Sequence, residues 1–167
     1  CQIEQNKCII ETTSANQCAG GGVYVNTGNF TAENNIIRGN EAAYGEAVFI
    51  NESALTLFNC LISGNVYNAQ KWSGELCSAV MFQGNRKTTI ANSTLIGNMG
   101  YQISAGSNKL TLINSIIHTG WEGRNIRNDA IPPYSPIEAA YCNIQMAYPG
   151  KVYPGQGNIN TDPCFAA

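Results

Sequence analysis

The aspartates of this chain do not form the cluster that a glycoside hydrolase of this kind uses as acid and base. Glycoside hydrolysis requires two carboxyl groups that act together on one glycosidic bond. The sequence contains only Asp129 and Asp162, which are separated by more than 30 residues. No Ser-His-Asp order, phosphate-binding loop or metal-ligand spacing is present either. The sequence therefore argues against an enzyme whose catalytic residues lie within this chain, and it predicts no cofactor and no metal site.

The other chemically capable side chains are scattered. Glu33, Glu46 and Glu52 occur singly, Arg38 has no acidic cluster beside it in the sequence, and His118 is the only histidine. Catalysis or metal binding by a histidine requires carboxylate or thiol partners that the spacing does not supply. We predict that the three glutamates and Arg38 lie on solvated surface and that His118 has a structural role.

Cysteine is frequent in this chain. Seven cysteines occur, at positions 1, 8, 18, 60, 77, 142 and 164, and none forms a CxxC pair typical of zinc or thioredoxin-like sites. Buried thiols and disulfides formed in an oxidising compartment are both compatible with this pattern. Several of the cysteines fall in predicted turns, which favours at least one disulfide, and the odd number leaves at least one thiol without a partner in this chain.

The sequence contains a repeat, and the repeated units must position the side chains described above. The segments 30–40, 55–65, 88–98 and 110–120 align with one another, and each carries a central asparagine, at Asn34, Asn59, Asn92 and Asn114. The asparagines are 25, 33 and 22 residues apart, which indicates a fixed structural unit with loops of different length. A second block, Gly22–Asn26, Ala47–Asn51 and Ala79–Gln83, precedes the first three copies, with a weaker copy at Gln102–Ala105.

These blocks predict three short strands in each rung of a right-handed parallel β-helix of about five rungs. Side chains on a strand alternate between two faces, which places Leu55 and Leu57 inside and the threonine between them outside. The same rule for the first strand type predicts an outward column of Tyr24, Phe49 and Met81. We name these three residues the outer column, which could serve either for docking or, if a loop shields it, for structure alone.

The recurring asparagines have a structural explanation. Asparagine tolerates the positive φ of a tight bend better than any residue except glycine. We therefore predict that the central asparagines stack as a hydrogen-bonded ladder of Asn34, Asn59, Asn92 and Asn114. The Gly-Asn pairs at 39/40, 64/65 and 97/98 mark the next corner of each rung for the same reason.

Two insertions predict a binding surface. The predicted loops 66–76 and 119–137 leave the same corner two rungs apart, and they contain both tryptophans of the chain. Aromatic rings with nearby polar groups suit sugar rings or a protein partner, although such loops can equally serve to cover the core. The predicted binding residues are Tyr67, Trp72, Trp121, Arg124, Arg127 and Tyr134, together with Tyr24 and Phe49 of the outer column.

The repeats resemble a known group of proteins. The stretches Gly20–Tyr24 and Gly39–Phe49 are similar to the Gly-Gly-Ala-Ile and Asn-x-Ala patterns of polymorphic outer membrane protein repeats and of bacterial right-handed β-helix repeat proteins. The segment Gly157–Phe165 resembles their Gly-Asn-Ile-x-x-Asp-Pro-x-Phe closing segment. The resemblance implies a β-helix displayed at the surface or secreted, and it implies no single activity.

This resemblance also divides the chain into β-helix rungs over residues 1–145 and a closing segment over 146–167. Cys164 stands where the related closing segments usually have an apolar residue. Because few rungs remain there to hold the chain, Cys142–Cys164 is the predicted disulfide.

Charge and composition limit the partners. The net charge is −2 and no run of Lys or Arg occurs, so the sequence predicts no nucleic-acid binding. It contains no apolar run long enough for a membrane-spanning helix. Three N-glycosylation sequons, of which Asn29 and Asn51 are the predicted acceptors and Asn92 begins the third, are compatible with secretion.

Taken as a sequence, the chain is predicted to be an extracellular or cell-surface β-helix with a structural or adhesive role. The alternative is a carbohydrate-active enzyme, a polysaccharide lyase or a glycoside hydrolase, whose catalytic residues lie outside this fragment. The predicted partners are a polysaccharide or another protein subunit stacked on the N-terminal rung, where strand-like sequence begins at once.

Overall fold

The fold is all-β and consists of parallel strands wound into a solenoid of about four turns, close to the five rungs predicted. We describe it from a computed structural model, which covers residues 1–8, 18–68, 77–84, 86–106, 109–118, 125–128, 137–146 and 150–164. These residues contain no helix. The fold class predicted from the repeat is therefore confirmed.

The first and second strand types join into one parallel sheet of eight strands. Two long strands, Val23–Glu33 and Val48–Phe58, pass through both types in successive rungs. The first type continues in Ser78–Gln83, Tyr101–Ala105 and Ile126–Asn128. The second type continues in Thr88–Ala91, Leu110–Ile113 and Ile137–Ala140.

The third strand type forms a separate parallel sheet of six short strands. In the order of their pairing these are Gln2–Glu4, Ile36–Arg38, Leu61–Ser63, Thr94–Ile96, Ile116–His118 and Asn143–Ile144. Gln2–Glu4 occupies one edge of this sheet, and Val23–Glu33 occupies an edge of the other.

Both predicted insertion loops contain a short strand that was not predicted. Val66–Tyr67, placed in the first loop, is a strand that pairs with Glu41–Ala42 in a small two-stranded sheet beside the solenoid. Ile126–Asn128, placed in the second loop, pairs with Ile103–Ala105 as a further strand of the first type. Ile126 packs against the core opposite Ile103, and this burial keeps the segment in the sheet.

The core lies between the two large sheets and follows the predicted alternation. Side chains at the inward positions of successive rungs, including Ile37, Ile50, Leu57, Phe82 and Leu112, have no solvent-exposed surface. Burial of each such side chain stabilises the fold by roughly 1.5–3 kcal/mol. The periodicity of two therefore assigned the faces of these strands correctly.

The predicted asparagine column is confirmed. Its members Asn34, Asn59, Asn92 and Asn114 follow one another at the same corner, all are exposed, and all have φ between 47° and 56°. The Asn59 amide donates to Oδ1 of Asn34 at 2.6 Å, and the Asn114 amide donates to Oδ1 of Asn92 at 2.8 Å. We refer to this column as the exposed ladder. Tyr141 takes the next position with φ 55°.

Replacing Asn59 with leucine is expected to lower the free energy of unfolding by about 1–3 kcal/mol, through the lost amide bond and the strained positive φ. Thermal or denaturant unfolding of the variant measures this. The conservative variant Asn59→Gly tolerates the bend and should recover the backbone part of the loss. An Asn59→Leu variant as stable as the parent would contradict a stabilising role for the exposed ladder.

The closing segment lies against the last rung. Ile159 forms a parallel bridge with Asn143, and the Asn158 side chain accepts from the Cys142 N–H at 2.9 Å and donates to the Ala139 carbonyl at 3.1 Å. Gly155, with φ 136°, presses its Cα against the Ala139 carbonyl, where a Cβ would clash. Glycine at this position lets the segment approach the rung closely.

The predicted Cys142–Cys164 disulfide is not formed. Cys142 is buried at a rung corner, where its thiol lies 3.2 Å from the Ala140 carbonyl, whereas Cys164 is exposed. Ser93 and Ser115 occupy the equivalent corner of earlier rungs, and each hydroxyl donates to the carbonyl two residues before it at 2.8 Å. The Cys142 side chain thus continues an inward column of the solenoid, whereas Cys164 lies on the surface.

Candidate functional site

The outer column lies on strands of the first type, in the eight-stranded sheet. Tyr24, Phe49 and Met81 are aligned in register on neighbouring strands, as predicted. The rings of Tyr24 and Phe49 stack with centroids 5.5 Å apart and planes inclined by 2°. Tyr24 is 53% exposed, but Phe49 and Met81 are only 8% and 7% exposed. The column therefore presents one aromatic ring to solvent, and its other two side chains are shielded, so it does not form a continuous docking stripe.

A pair of side-chain amides lies next to this ring on the same face. Asn26 and Asn51 follow Tyr24 and Phe49 by two residues, and residues two apart on a strand point to the same side. The Asn51 amide donates to Oδ1 of Asn26 at 2.8 Å. Asn26 is exposed, and its N–H₂ group offers donors two residues along the strand from Tyr24, at a Cα separation of roughly 6.6 Å.

The remaining predicted binding residues are separated from this surface or lie outside the described part of the chain. Tyr67 is 8% exposed and packs among other buried side chains, so its predicted place on an open surface is wrong. Arg127 lies over the Tyr101 ring, 5.8 Å from its centroid, in a cation–π contact. The predicted binding residues outside the described ranges are Trp72, Trp121, Arg124 and Tyr134.

A second asparagine ladder runs through the interior. It lies at the corner that was predicted from the Gly-Asn pairs, where no ladder was predicted. It consists of Asn40, Asn65 and Asn98, extended at its ends by Asn6 and Gln102, and we refer to it as the buried ladder. Each of the three central asparagines donates its amide to the next side-chain oxygen, at 3.0, 2.8 and 2.5 Å in chain order. The backbone N–H groups of Asn40 and Asn65 donate to the same oxygens at 3.0 Å.

The difference between the two ladders comes from the residue that adopts positive φ. At the exposed ladder asparagine itself takes this conformation. At the buried ladder the preceding Gly39, Gly64 and Gly97 take it, with φ of 60–62°, and the asparagines are at most 4% exposed. The repeated Gly-Asn pair was the sequence feature that could have identified the buried ladder.

A second cluster of buried and partly buried side chains includes three cysteines, two tyrosines and residues of the small two-stranded sheet. We refer to it as the side cluster, and its members are Cys8, Cys18, Ala42, Ala43, Tyr44, Tyr67 and Cys77. Burial raises the pKa of the Cys77 thiol to about 11, with a further contribution from the nearby Glu46 carboxyl. Burial also raises the pKa of Tyr67, assisted by Cys77, Tyr44 and Glu46. The sequence did not predict this cluster.

Glu46 borders the side cluster and corrects a prediction. It was expected on solvated surface, but it has no exposed surface, and within the described part of the chain neither carboxyl oxygen has a hydrogen-bond partner. Burial raises the pKa of Glu46 well above its ordinary value of 4.5. The backbone N–H groups of Glu46 and Ser78 lower it in part, although neither reaches hydrogen-bond geometry. The carboxyl is therefore held in its neutral form more strongly than an exposed glutamate would be.

Three ion pairs lie on the surface of the described part of the chain. Arg38 contacts the Glu4 carboxylate, Lys7 pairs with Glu41 at 2.8 Å, and Lys109 pairs with Glu138 at 2.8 Å. Asn29, a predicted glycan acceptor, is exposed, while Asn51 is half-buried and bonded to Asn26. Within the described ranges, no group of three or more His, Cys, Asp or Glu side chains is arranged to hold a metal ion.

The fold and its ladders define the class of protein: a parallel β-solenoid whose rung corners are held by asparagine side chains. Comparison of the chain with protein-family models, with curated proteins and with solved structures yields no match. In the described part of the chain, no helix has the length and apolar character needed to cross a membrane.

Proposed function

We propose that this chain is part of a secreted or cell-surface β-solenoid with a structural and adhesive role, and that it contacts glycans through Tyr24. The observation that carries the proposal is the exposed Tyr24 ring, fixed by stacking on Phe49. A ring that is already immobilised loses little conformational entropy when a ligand binds, which favours a sugar ring lying on its open face. The resemblance of the repeats to those of surface-displayed β-helix proteins gives further support.

The Asn26–Asn51 pair supplies the polar part of such a contact. Sugar recognition combines an apolar face with a few placed hydrogen-bonding groups. The Asn26 amide offers donors beside the ring, and its oxygen is already held by Asn51 at 2.8 Å. The low net charge of −2 favours neutral glycans over polyanionic ones as ligands.

We expect Tyr24→Ala to weaken binding to a neutral polysaccharide about tenfold, the loss that corresponds to about 1.4 kcal/mol of stacking energy. Screening on an array of neutral glycans, followed by calorimetric titration of the ligand found, measures this. Tyr24→Phe keeps the ring and should retain most of the affinity.

Tyr141→Ala is the matched control for this substitution. Tyr141 is 56% exposed but lies at a different corner, in the region of the closing segment, so its removal should leave glycan binding unchanged. Equal affinity of Tyr24→Ala and the parent chain, or no binding to any glycan on the array, would overturn the proposed contact.

A further inference from the structure

Two cysteines of the side cluster, Cys8 and Cys18, lie next to each other because the residues beside them both pair with the segment 41–44. Lys7 forms a parallel bridge with Glu41, and Ala19 forms one with Tyr44. Cys8 follows the first bridge and Cys18 precedes the second, so the two cysteines stand opposite the consecutive residues 42 and 43. The two cysteines are therefore neighbours in space, although they are ten positions apart in the sequence.

Backbone hydrogen bonds fix both cysteines in this arrangement. The Cys8 N–H donates to the Glu41 carbonyl at 2.8 Å, and the Cys18 carbonyl accepts from Ala43 at 3.0 Å and from Tyr44 at 3.2 Å. The Cys18 thiol donates to the Cys8 carbonyl at 2.9 Å, which places its sulfur against Cys8 itself. The neighbouring Cys18 thiol also raises the pKa of Cys8.

We propose that Cys8 and Cys18 are a disulfide site, which closes when the protein meets a small-molecule disulfide such as oxidised glutathione. The contacts that hold the two residues are already made between the reduced thiols, so closure requires a change in side-chain torsions and no rearrangement of the strands. The bond ties residue 8 of the first rung to residue 18 at the start of the next.

The reaction proceeds by two exchanges. The Cys8 thiolate, the more accessible of the two, attacks one sulfur of glutathione disulfide, whose S–S bond breaks and releases one glutathione thiolate. The Cys18 thiolate then attacks the Cys8 sulfur and releases the second glutathione. Two protein thiols are oxidised to one disulfide, one glutathione disulfide is reduced to two thiols, and the two protons lost by the protein are taken up by the released glutathione.

Burial and the neighbouring Cys18 raise the pKa of Cys8 to about 12. Only a small fraction of Cys8 is therefore thiolate near neutral pH, and the first exchange is slow. We expect the rate of closure to rise with pH, about tenfold per unit between pH 7 and 9 for a single thiol far below its pKa.

Cys77 is the competing thiol. It lies in the same side cluster, but its sulfur packs directly against the Cα of Gly100 from the next rung. A disulfide between Cys18 and Cys77 would need this contact to open. The test must therefore identify which cysteines are joined.

The experiment incubates the folded full chain with oxidised glutathione at pH 8.5, blocks remaining thiols under denaturing conditions, and cleaves after Lys, Arg and Glu without reduction. Cleavage after Lys7, Glu11 and Glu33 separates the two cysteines into peptides 8–11 and 12–33. The expected result is a disulfide-linked pair of these peptides that disappears on reduction, with Cys77 alkylated in peptide 76–86.

The oxidised protein should also melt at a higher temperature than the reduced one, because the cross-link restricts the unfolded chain. The variants Cys8→Ser and Cys18→Ser should lose both the linked peptides and the shift, while Cys164→Ser, at an exposed position outside the cluster, keeps them. Cys8 and Cys18 that remain fully alkylatable, or Cys18 found joined to Cys77, would overturn the proposal.

Discussion

Replacing Asn65 with leucine is expected to lower the free energy of unfolding by about 3–5 kcal/mol, because it leaves several buried polar groups without partners. The Asn65 side chain accepts from the Asn40 N–H and amide, both at 3.0 Å. It donates to Asn98 Oδ1 at 2.8 Å and to the Ile37 carbonyl at 3.1 Å. Leucine supplies none of these groups, and Asn65 has no exposure to water that could replace them.

Asn59→Leu in the exposed ladder is the matched control for this prediction. It makes the same substitution in the same rung, but Asn59 is exposed and water can satisfy the groups it leaves behind. Chemical denaturation of both variants gives the two losses directly. A loss at Asn65 no greater than that at Asn59 would show that the buried ladder contributes no more than a surface turn.

Glu46→Gln is expected to stabilise the protein increasingly as the pH rises. The folded-state pKa of Glu46 lies above its unfolded value, because burial disfavours the charged form. Below about pH 4.5 both states are protonated and the carboxyl has no effect on stability relative to its neutral form. Above that pH the unfolded state loses its proton first, so the parent chain loses about 1.4 kcal/mol per pH unit until the folded-state pKa is reached.

The neighbouring side chains of Cys77 and Tyr67 do not contribute to this pH dependence of stability. Cys77 and Tyr67 both have pKa values raised by burial, Cys77 to about 11, so they stay neutral between pH 4 and 8. Denaturant titrations of the parent and of Glu46→Gln across this range therefore measure how much the ionisation of Glu46 lowers the free energy of unfolding. Glu138→Gln, on the surface and paired with Lys109, is the control and should show little pH-dependent gain. Parallel pH profiles of Glu46→Gln and the parent would contradict a buried neutral carboxyl.

Much of the solenoid could be predicted from sequence because its rungs are local units. Three strands per rung, the inward positions and the corner occupied by Asn59 follow from alternation and from the few residues that tolerate positive φ. The boundaries of the insertions could not be predicted in the same way. Val66–Tyr67 and Ile126–Asn128 become strands because neighbouring rungs offer them an edge to pair with.

The candidate site was predicted in part. The register of Tyr24 and Phe49 followed from the repeat, but the exposure of each ring did not. Alternation tells which face of a sheet a side chain occupies, and it gives no information about what covers that face. Tyr67 was predicted at the surface because it was assigned to the insertion loop 66–76, and it is buried in the side cluster.

The sequence by itself determined the parallel solenoid, its inward columns and its asparagine corners, because each depends on residues close together in the chain that recur from rung to rung. Only the tertiary structure decided that Glu46 is buried with no hydrogen-bond partner for its carboxyl among the described residues, that Cys8 lies against Cys18, and that Cys142 is buried while Cys164 is exposed. These environments are assembled from different rungs and from corner segments of unequal length. Burial and proximity there depend on how the segments pack on one another, which no local pattern of residue types encodes.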